Sequence, residues 1–429
     1  MTTITELSEV IQELLTTQAD ELARKTGFVQ RQRKVSGSGF AQALIFGFMS
    51  NPSCTRAEVN EMASTAGMVL STPGLDKRFN GKAAYFLDQL LGEAVKAVIY
   101  SQQATRSLLT RFQGVYVGDS TLVGLPQALA SVFAGNNGET DAAVKVAVQW
   151  ELSQGQLGLW LSNGLVHDQQ TGIVAHTLPA GALQLNDLGF FNLQTFAQLE
   201  ANGVYYFSRY KVGTLVYQAD GQPLDLAAWL NGHTLACELN IQLGAIGLPC
   251  RLLALPVPPD QLDNRQHRLK EIARKKQQPT SQRSLALANW SVYITNIPPT
   301  RLALSEAPVL GATRWQIECL FDLWKNEGQL DKTRSTDPHR VLCEFYAKLL
   351  ALLLQHWMMV VGCWQHLNRS LHRAAQVLRQ RAVTFVDALA DKRLLTPILD
   401  RATLIMAQTC RRSKRRASPA TFQRLTSVP

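Results

Sequence analysis

Three carboxylates stand in this sequence where a carboxylate needs a reason. Asp119 closes the β-branched run V-Y-V-G-D, Asp187 closes L-Q-L-N-D, and Glu318 sits in T-R-W-Q-I-E-C-L-F-D-L-W-K, residues 313–325. Asp is a poor strand former, so an Asp ending an apolar strand either caps the following turn or projects from the rim of a sheet into a site. A period of two puts Asp187 on the same face as Leu183 and Leu185. Around Glu318, at about 100° per residue, Arg314, Glu318 and Lys325 fall within roughly 40° of one another, with Asp322 flanking them. Ile317, Leu320 and Trp324 form a neighbouring apolar stripe, and Trp315 and Leu323 also suit a buried helix. Taken alone, Arg314 and Glu318 make an ordinary helix-surface ion pair, worth about 0.3 kcal/mol.

Together, two strand ends and one helix supply an all-oxygen donor set, the kind a hard divalent cation such as magnesium prefers. Two ions about 4 Å apart would activate a water or a 3′-hydroxyl and stabilise the leaving oxygen of an in-line phosphoryl displacement. Arg314 and Lys325 would then hold the phosphates that flank the reacting one.

The elements that must position these residues are legible from periodicity. Residues 1–110 suit helices, with apolar residues at three and four spacing in 40–49 and 83–99 and loop signals at 36–39, 51–53 and 71–74. Arg31, Arg33, Lys34, Lys77, Arg78 and Lys82 punctuate those loops, which suits DNA contact or, equally, solvated helix ends. The pattern changes near Gly114. Residues 115–121, 143–152, 157–161, 182–191 and 204–210 alternate as strands do, and 193–202 is helical, so a mixed sheet of α/β or α+β type is expected. Lys145, inside one of these strands, either faces the site or sits on an exposed edge, and the edge is expected. Residues 211–310 form a strand-rich insertion with strands at 214–217, 234–243, 251–255 and 290–297 and a basic amphipathic helix at 265–276. Residues 311–408 are helical again, and 409–429 is a tail carrying R-R-S-K-R-R at 411–416.

The formal charge of +10 over 429 residues favours polyanionic partners, nucleic acid or an anionic membrane surface, although a merely basic soluble protein has the same total. Seven scattered cysteines include no C-x-x-C pair, and no histidines have H-E-x-x-H spacing, so neither a disulfide framework nor zinc is indicated. G-S-G at 37–39 lacks the Walker Lys-Ser/Thr pattern, which argues against an ATP-driven motor. The most apolar run, 346–364, is interrupted by Lys348, Gln355 and His356 and is expected to be a buried helix. The first helix is acidic, without the basic start of a signal peptide, so a soluble, intracellular protein is expected.

The local motifs resemble a known family. V-G-D-S-T at Asp119, N-D-L-G-F-F at Asp187 and R-W-Q-I-E-C-L-F-D-L-W-K are similar to the three catalytic motifs of DDE transposases of the insertion-sequence IS-four group. The third motif of that group runs Tyr, two residues, Arg, three residues, Glu, six residues, Lys. Arg314, Glu318 and Lys325 match the last three positions, and Gly311 stands where the Tyr belongs. The resemblance covers about residues 20–420. It implies an RNase H-like mixed sheet flanked by helices. The catalytic core would comprise 111–210 and 311–408, with a helical DNA-binding domain over 1–110 and an insertion over 211–310.

The resemblance also implies roles. Asp119, Asp187 and Glu318 would hold magnesium, with manganese as the alternative ion. Arg314, Lys325, and Arg209 and Lys211 of F-S-R-Y-K would contact DNA phosphates. Trp290 would stack on a flipped base, the other reading being a core Trp sharing a strand face with Val292 and Ile294. The implied activity is cleavage of double-stranded DNA at terminal inverted repeats and joining to target DNA, by a dimer in the cytoplasm at the nucleoid, with no membrane partner. A hairpin at the excised end goes with the insertion. The missing Tyr points toward a DNA-binding protein without cleavage, the three intact carboxylates weigh more heavily against that, and an RNase H-like nuclease or resolvase is a third reading.

Overall fold

Strands form where the sequence alternates, and helices where apolar residues recur at three and four spacing. The computed structural model describes all residues except 32–33, 103–107, 136–139, 276, 278, 415–418 and 428–429, and the side chains at 175 and 392. Arg33, Lys276, Arg415 and Arg416, named above as basic positions, lie outside the described residues. Nine strands are present among the described residues: β1 Val115–Leu125, β2 Ala142–Glu151, β3 Leu157–Asn163, β4 Leu183–Asn186, β5 Tyr205–Arg209, β6 Val216–Gln218, β7 Cys237–Leu243, β8 Leu248–Pro256 and β9 Trp290–Thr295. The chain divides into two compact units. One, here the sheet unit, contains Arg106–Asp119, Asp168–Ile317 and Pro419–Pro429; the other, the helical unit, contains Met1–Thr105, Ser120–His167 and Glu318–Ser418.

In the sheet unit the strand order is β1-β4-β5-β9-β8-β7-β6. β1 with β4 and β4 with β5 are parallel, and the helix Leu193–Ala201 makes the crossover between the latter two; every later pair is antiparallel. This is the mixed sheet the periodicity predicts. The boundary near residue 210 is not a break in the sheet, because β5 pairs directly with β9, Phe207 opposite Thr295 and Arg209 opposite Tyr293. The strands of 211–310 therefore extend one sheet with the strand ends that carry Asp119 and Asp187. Phe196, Tyr206, Leu252, Trp290 and Ile294 bury one face of it in an apolar cluster. A two-pronged ion pair, Arg111 Nη1 and Nη2 to Glu306 at 2.7 and 2.8 Å, ties the end of the insertion to the segment leading into β1.

The helical unit is built around Pro338–Cys363, which packs against Gly37–Ser50, Gly81–Lys96 and Lys392–Thr409. This is the one described helix long and apolar enough to cross a membrane, and 94% of its most apolar window is buried inside the protein. It fills the place of a core helix, as the run 346–364 predicts. The β2–β3 hairpin docks on it: His356 Nε2 lies 2.7 Å from Gly155 O, and Trp364 Nε1 donates to Leu152 O at 3.1 Å. Every residue of β2 is buried, Lys145 included, which corrects the exposed edge expected for that lysine. β2 lies inside the fold, with its apolar residues pointing to both sides.

Candidate active site

Asp187 is the residue after β4 and opens the single turn Leu188–Phe190, yet its side chain makes no capping bond to that turn. The capping alternative is therefore not what places this carboxylate. It stays 42% exposed and meets Arg314, Nη1 to Oδ1, at 3.7 Å, an ion pair too long to be a hydrogen bond. The loop itself is well held. Phe190 and Phe191 are buried, Phe191 stands edge-on to Phe196 at 5.3 Å, and Gln169 Nε2 donates to Phe191 O at 3.2 Å. The two aromatics of D-L-G-F-F thus anchor the turn while its Asp points outward.

Asp119 lies within β1, half-buried, with the unit boundary immediately after it. The glycine before it has a packing reason: a Cβ at Gly118 would sit 2.9 Å from Ile173 Cγ2. The V-G-D spacing therefore brings the backbone close to its neighbour just where the carboxylate begins.

The third motif is not the single helix that its periodicity suggests. A helix over Ala307–Thr313 ends with Arg314 as its C-cap, and Thr313 Oγ1 donates back to Val309 O at 2.9 Å. A second helix spans Gln316–Asp322, and a π-helical turn follows over Leu323–Glu327. The even 100° spacing that grouped Arg314, Glu318 and Lys325 does not run through these two interruptions. Ile317, Leu320, Leu323 and Trp324 are buried as expected, but Trp315, at the break, is 55% exposed. Glu318 and Lys325 are half-buried and belong to the helical unit, Lys325 within the π turn, a local irregularity frequent at functional sites. Burial pushes up the Cys319 thiol pKa, and the nearby Arg412 guanidinium acts against it, so the basic tail starts close to this helix.

Gly311, the departure from the family motif, has a neighbour the sequence did not reveal. The ring of Tyr293 in β9 occupies the space beside it, and a Cβ at Gly311 would lie 2.9 Å from Tyr293 Cε1 and from its hydroxyl. A tyrosine comes from the sheet where the motif would place one on the helix. No local signal marks Tyr293, since only the pairing of β9 with β5 brings it there. Of the remaining residues, Arg209 ends β5 exposed, and exposed Lys211 lies 6.0 Å from the centre of the Phe191 ring. Trp290 is 7% exposed and belongs to the apolar cluster of the sheet.

The donor set singled out by sequence is all carboxylate, chemistry that fits a hard divalent ion, and the exposed, uncapped Asp187 is open to a ligand. Among the described residues, no three His, Cys, Asp or Glu side chains are grouped to hold a metal ion.

The strand-end carboxylate in its D-L-G-F-F turn, the facing arginine and the mixed sheet fit the family that the motifs resemble, and the comparisons agree. Residues 110–354, more than half of the chain, match the transposase DDE domain, and the chain belongs to that family of divalent-metal-dependent enzymes. Relatives named as insertion-sequence transposases match over differing lengths. The chain is 28% identical to the transposase for insertion sequence element IS231F of Bacillus thuringiensis subsp. israelensis, over 94% of this chain and 91% of that one. It is 26% identical to the transposase for insertion sequence element IS1151 of Clostridium perfringens, over 78% of this chain and 76% of the relative. A shorter match, 27% over 32% of this chain and 39% of the relative, is to the putative transposase InsL for insertion sequence element IS186A of Escherichia coli strain K12.

Proposed function

We propose that this transposase serves a bacterial-type insertion sequence, cutting double-stranded DNA at terminal inverted repeats and joining the freed 3′ ends to target DNA. The observation that carries this reading is Asp187: a carboxylate on a rigidly anchored turn, not used as a cap, facing Arg314. In the proposal Asp119, Asp187 and Glu318 would hold the metal, magnesium before manganese. When bound, it would supply Lewis-acid activation of the attacking and leaving oxygens. Arg314 orients the Asp187 carboxylate and, with Lys325, binds the phosphates flanking the scissile bond. Arg209 and Lys211, exposed at the end of β5, grip the backbone further along. For Trp290 we propose a core role in this conformation, because stacking on a base requires the ring to leave the cluster that buries it.

Two DNA ends must be held for joining, so the working form is proposed as a dimer on DNA, in the cytoplasm at the nucleoid. The hairpin intermediate belongs to the same proposal. The test is a nicking and strand-transfer assay with purified protein and a labelled duplex carrying the element's own end. Magnesium-dependent 3′-end cleavage that disappears in Asp119→Ala supports the reading. Cleavage that persists in Asp119→Ala sinks the site, and repeat binding without cleavage by the unaltered protein leaves only a DNA-binding role.

A further inference from the structure

The sheet brings one more charged side chain to the face that carries Asp187. Alternation in β5 puts Phe207 and Arg209 on one face, and Arg209 pairs with Tyr293 of β9. Leu185 of β4 pairs with Phe207, so Asp187, two residues past Leu185, shares that face, as does Ser291, two residues before Tyr293. Onto it reaches Arg265, from the middle of the exposed basic helix Pro259–Lys275. Its Nη1 donates to Trp290 O at 3.2 Å and its Nη2 to Ser291 Oγ at 2.9 Å. These bonds fix the guanidinium plane and leave three of its five N–H donors uncommitted.

Arg265 is half-buried, and among the described residues neither it nor Arg209 forms an ion pair. Burial and the Arg209 guanidinium both press the Arg265 pKa down, with only the Tyr293 phenol acting the other way. Two guanidiniums held near each other without a carboxylate repel, and an anion between them relieves that repulsion. Planar forked donors match the oxygens of a phosphate, the anion that DNA presents along its backbone.

We propose that Arg265 and Arg209 form a two-guanidinium clamp for one backbone phosphate of the bound DNA, with Arg209 one strand and the β9 anchor of Arg265 two strands across the sheet from Asp187. Strand spacing sets the backbone separations at about 5 Å for Arg209 and about 10 Å for the β9 anchor, so the clamp reaches away from Asp187 and positions the strand beside the reacting phosphate. The inference rests on the transposase reading and adds to it a residue, Arg265, and a purpose for the insertion's basic helix.

The test is DNA affinity against salt concentration, using the full chain and a short labelled duplex of arbitrary sequence. Arg265→Gln is expected to weaken binding about tenfold at low salt. It should also reduce the slope of log K against log salt by up to about 0.9, the share of one phosphate. Arg209→Gln should do the same, and the double variant should lose little more than either single one, because both hold the same phosphate. Arg265→Lys, which keeps the charge, should keep most of the slope. If Arg265→Gln lowers the melting temperature but leaves the slope unchanged while the unaltered protein binds, Arg265 merely fastens its helix and the clamp is overturned. If the unaltered protein shows no salt-dependent DNA binding, the transposase reading fails together with the clamp.

Discussion

On one face of β9, Trp290, Val292 and Ile294 turn into the apolar cluster with Phe196, Tyr206 and Leu252. On the other, Ser291 accepts a bond from Arg265, while Tyr293 stacks on Phe207 at 4.8 Å and fills the space beside Gly311. One six-residue strand thus turns its even-numbered side chains into the core, while Ser291 and Tyr293 meet the Arg265 and Gly311 side. The difference shows that the identity of an aromatic residue does not assign its role. The tryptophan that resemblance marks for DNA is in the core, and an unmarked tyrosine three residues further on stands among the charged groups.

Four experiments break or sharpen that contrast. The largest effect belongs to the charged face: Asp187→Asn should reduce DNA cleavage on the order of 10^3-fold. Because its ion pair is 3.7 Å long and its side chain 42% exposed, stability should move by less than about 0.5 kcal/mol. A parallel loss of melting temperature and activity would make Asp187 structural instead. On the apolar face the order reverses. Trp290→Ala should cost about 3–5 kcal/mol in denaturant unfolding through the cavity it leaves. Trp290→Phe should recover much of that and bind duplex DNA like the unaltered protein. Loss of affinity in a stably folded Trp290→Phe would move this ring to the DNA.

The third experiment sets the two tyrosine positions against each other. Gly311→Tyr alone should destabilise by about 1–3 kcal/mol, since Tyr293 already occupies that space. Adding Tyr293→Ala to it should regain part of the loss; no regain would mean that the two side chains do not compete. The smallest effect concerns acid. Burial alone would raise the Glu306 pKa, but the Arg111 bonds and the Ala303 N–H together hold it below the ordinary glutamate value. A depressed folded pKa stabilises above the unfolded value, near about 4.3, and that contribution is lost as pH falls through the folded one. Stability measured from pH 7 downward should therefore fall below about pH 4 in the unaltered protein, and the fall should be shallower in Glu306→Gln.

Much of the architecture was legible because period two and period 3.6 are local properties. Strands at 143–152 and 157–161, the crossover helix and the buried 346–364 run all fall where alternation or helical spacing puts them. The carboxylate-bearing motifs were legible for a different reason: chemistry needs fixed residue types at fixed spacing. What failed was extrapolation of a regular period across a break. A continuous helix over 313–325 predicts a buried Trp315, whereas the turn at Arg314 and the π turn at Leu323–Glu327 each rotate the side chains that follow. Lys145 was misplaced because no single-strand pattern says whether a strand lies at an edge or inside.

The amino-acid order alone determined the strand and helix inventory, the three acidic motifs, the positive charge and the family these point to. Each depends on residues near one another in the chain or on simple totals. Tertiary structure alone decided that β5 pairs with β9. That pairing joins the insertion to the strands bearing the acidic residues, sets Tyr293 against Gly311 and brings Arg265 to Arg209. Those partners lie from 18 to 88 residues apart, and the register that unites them is a property of strands meeting, which no local period contains.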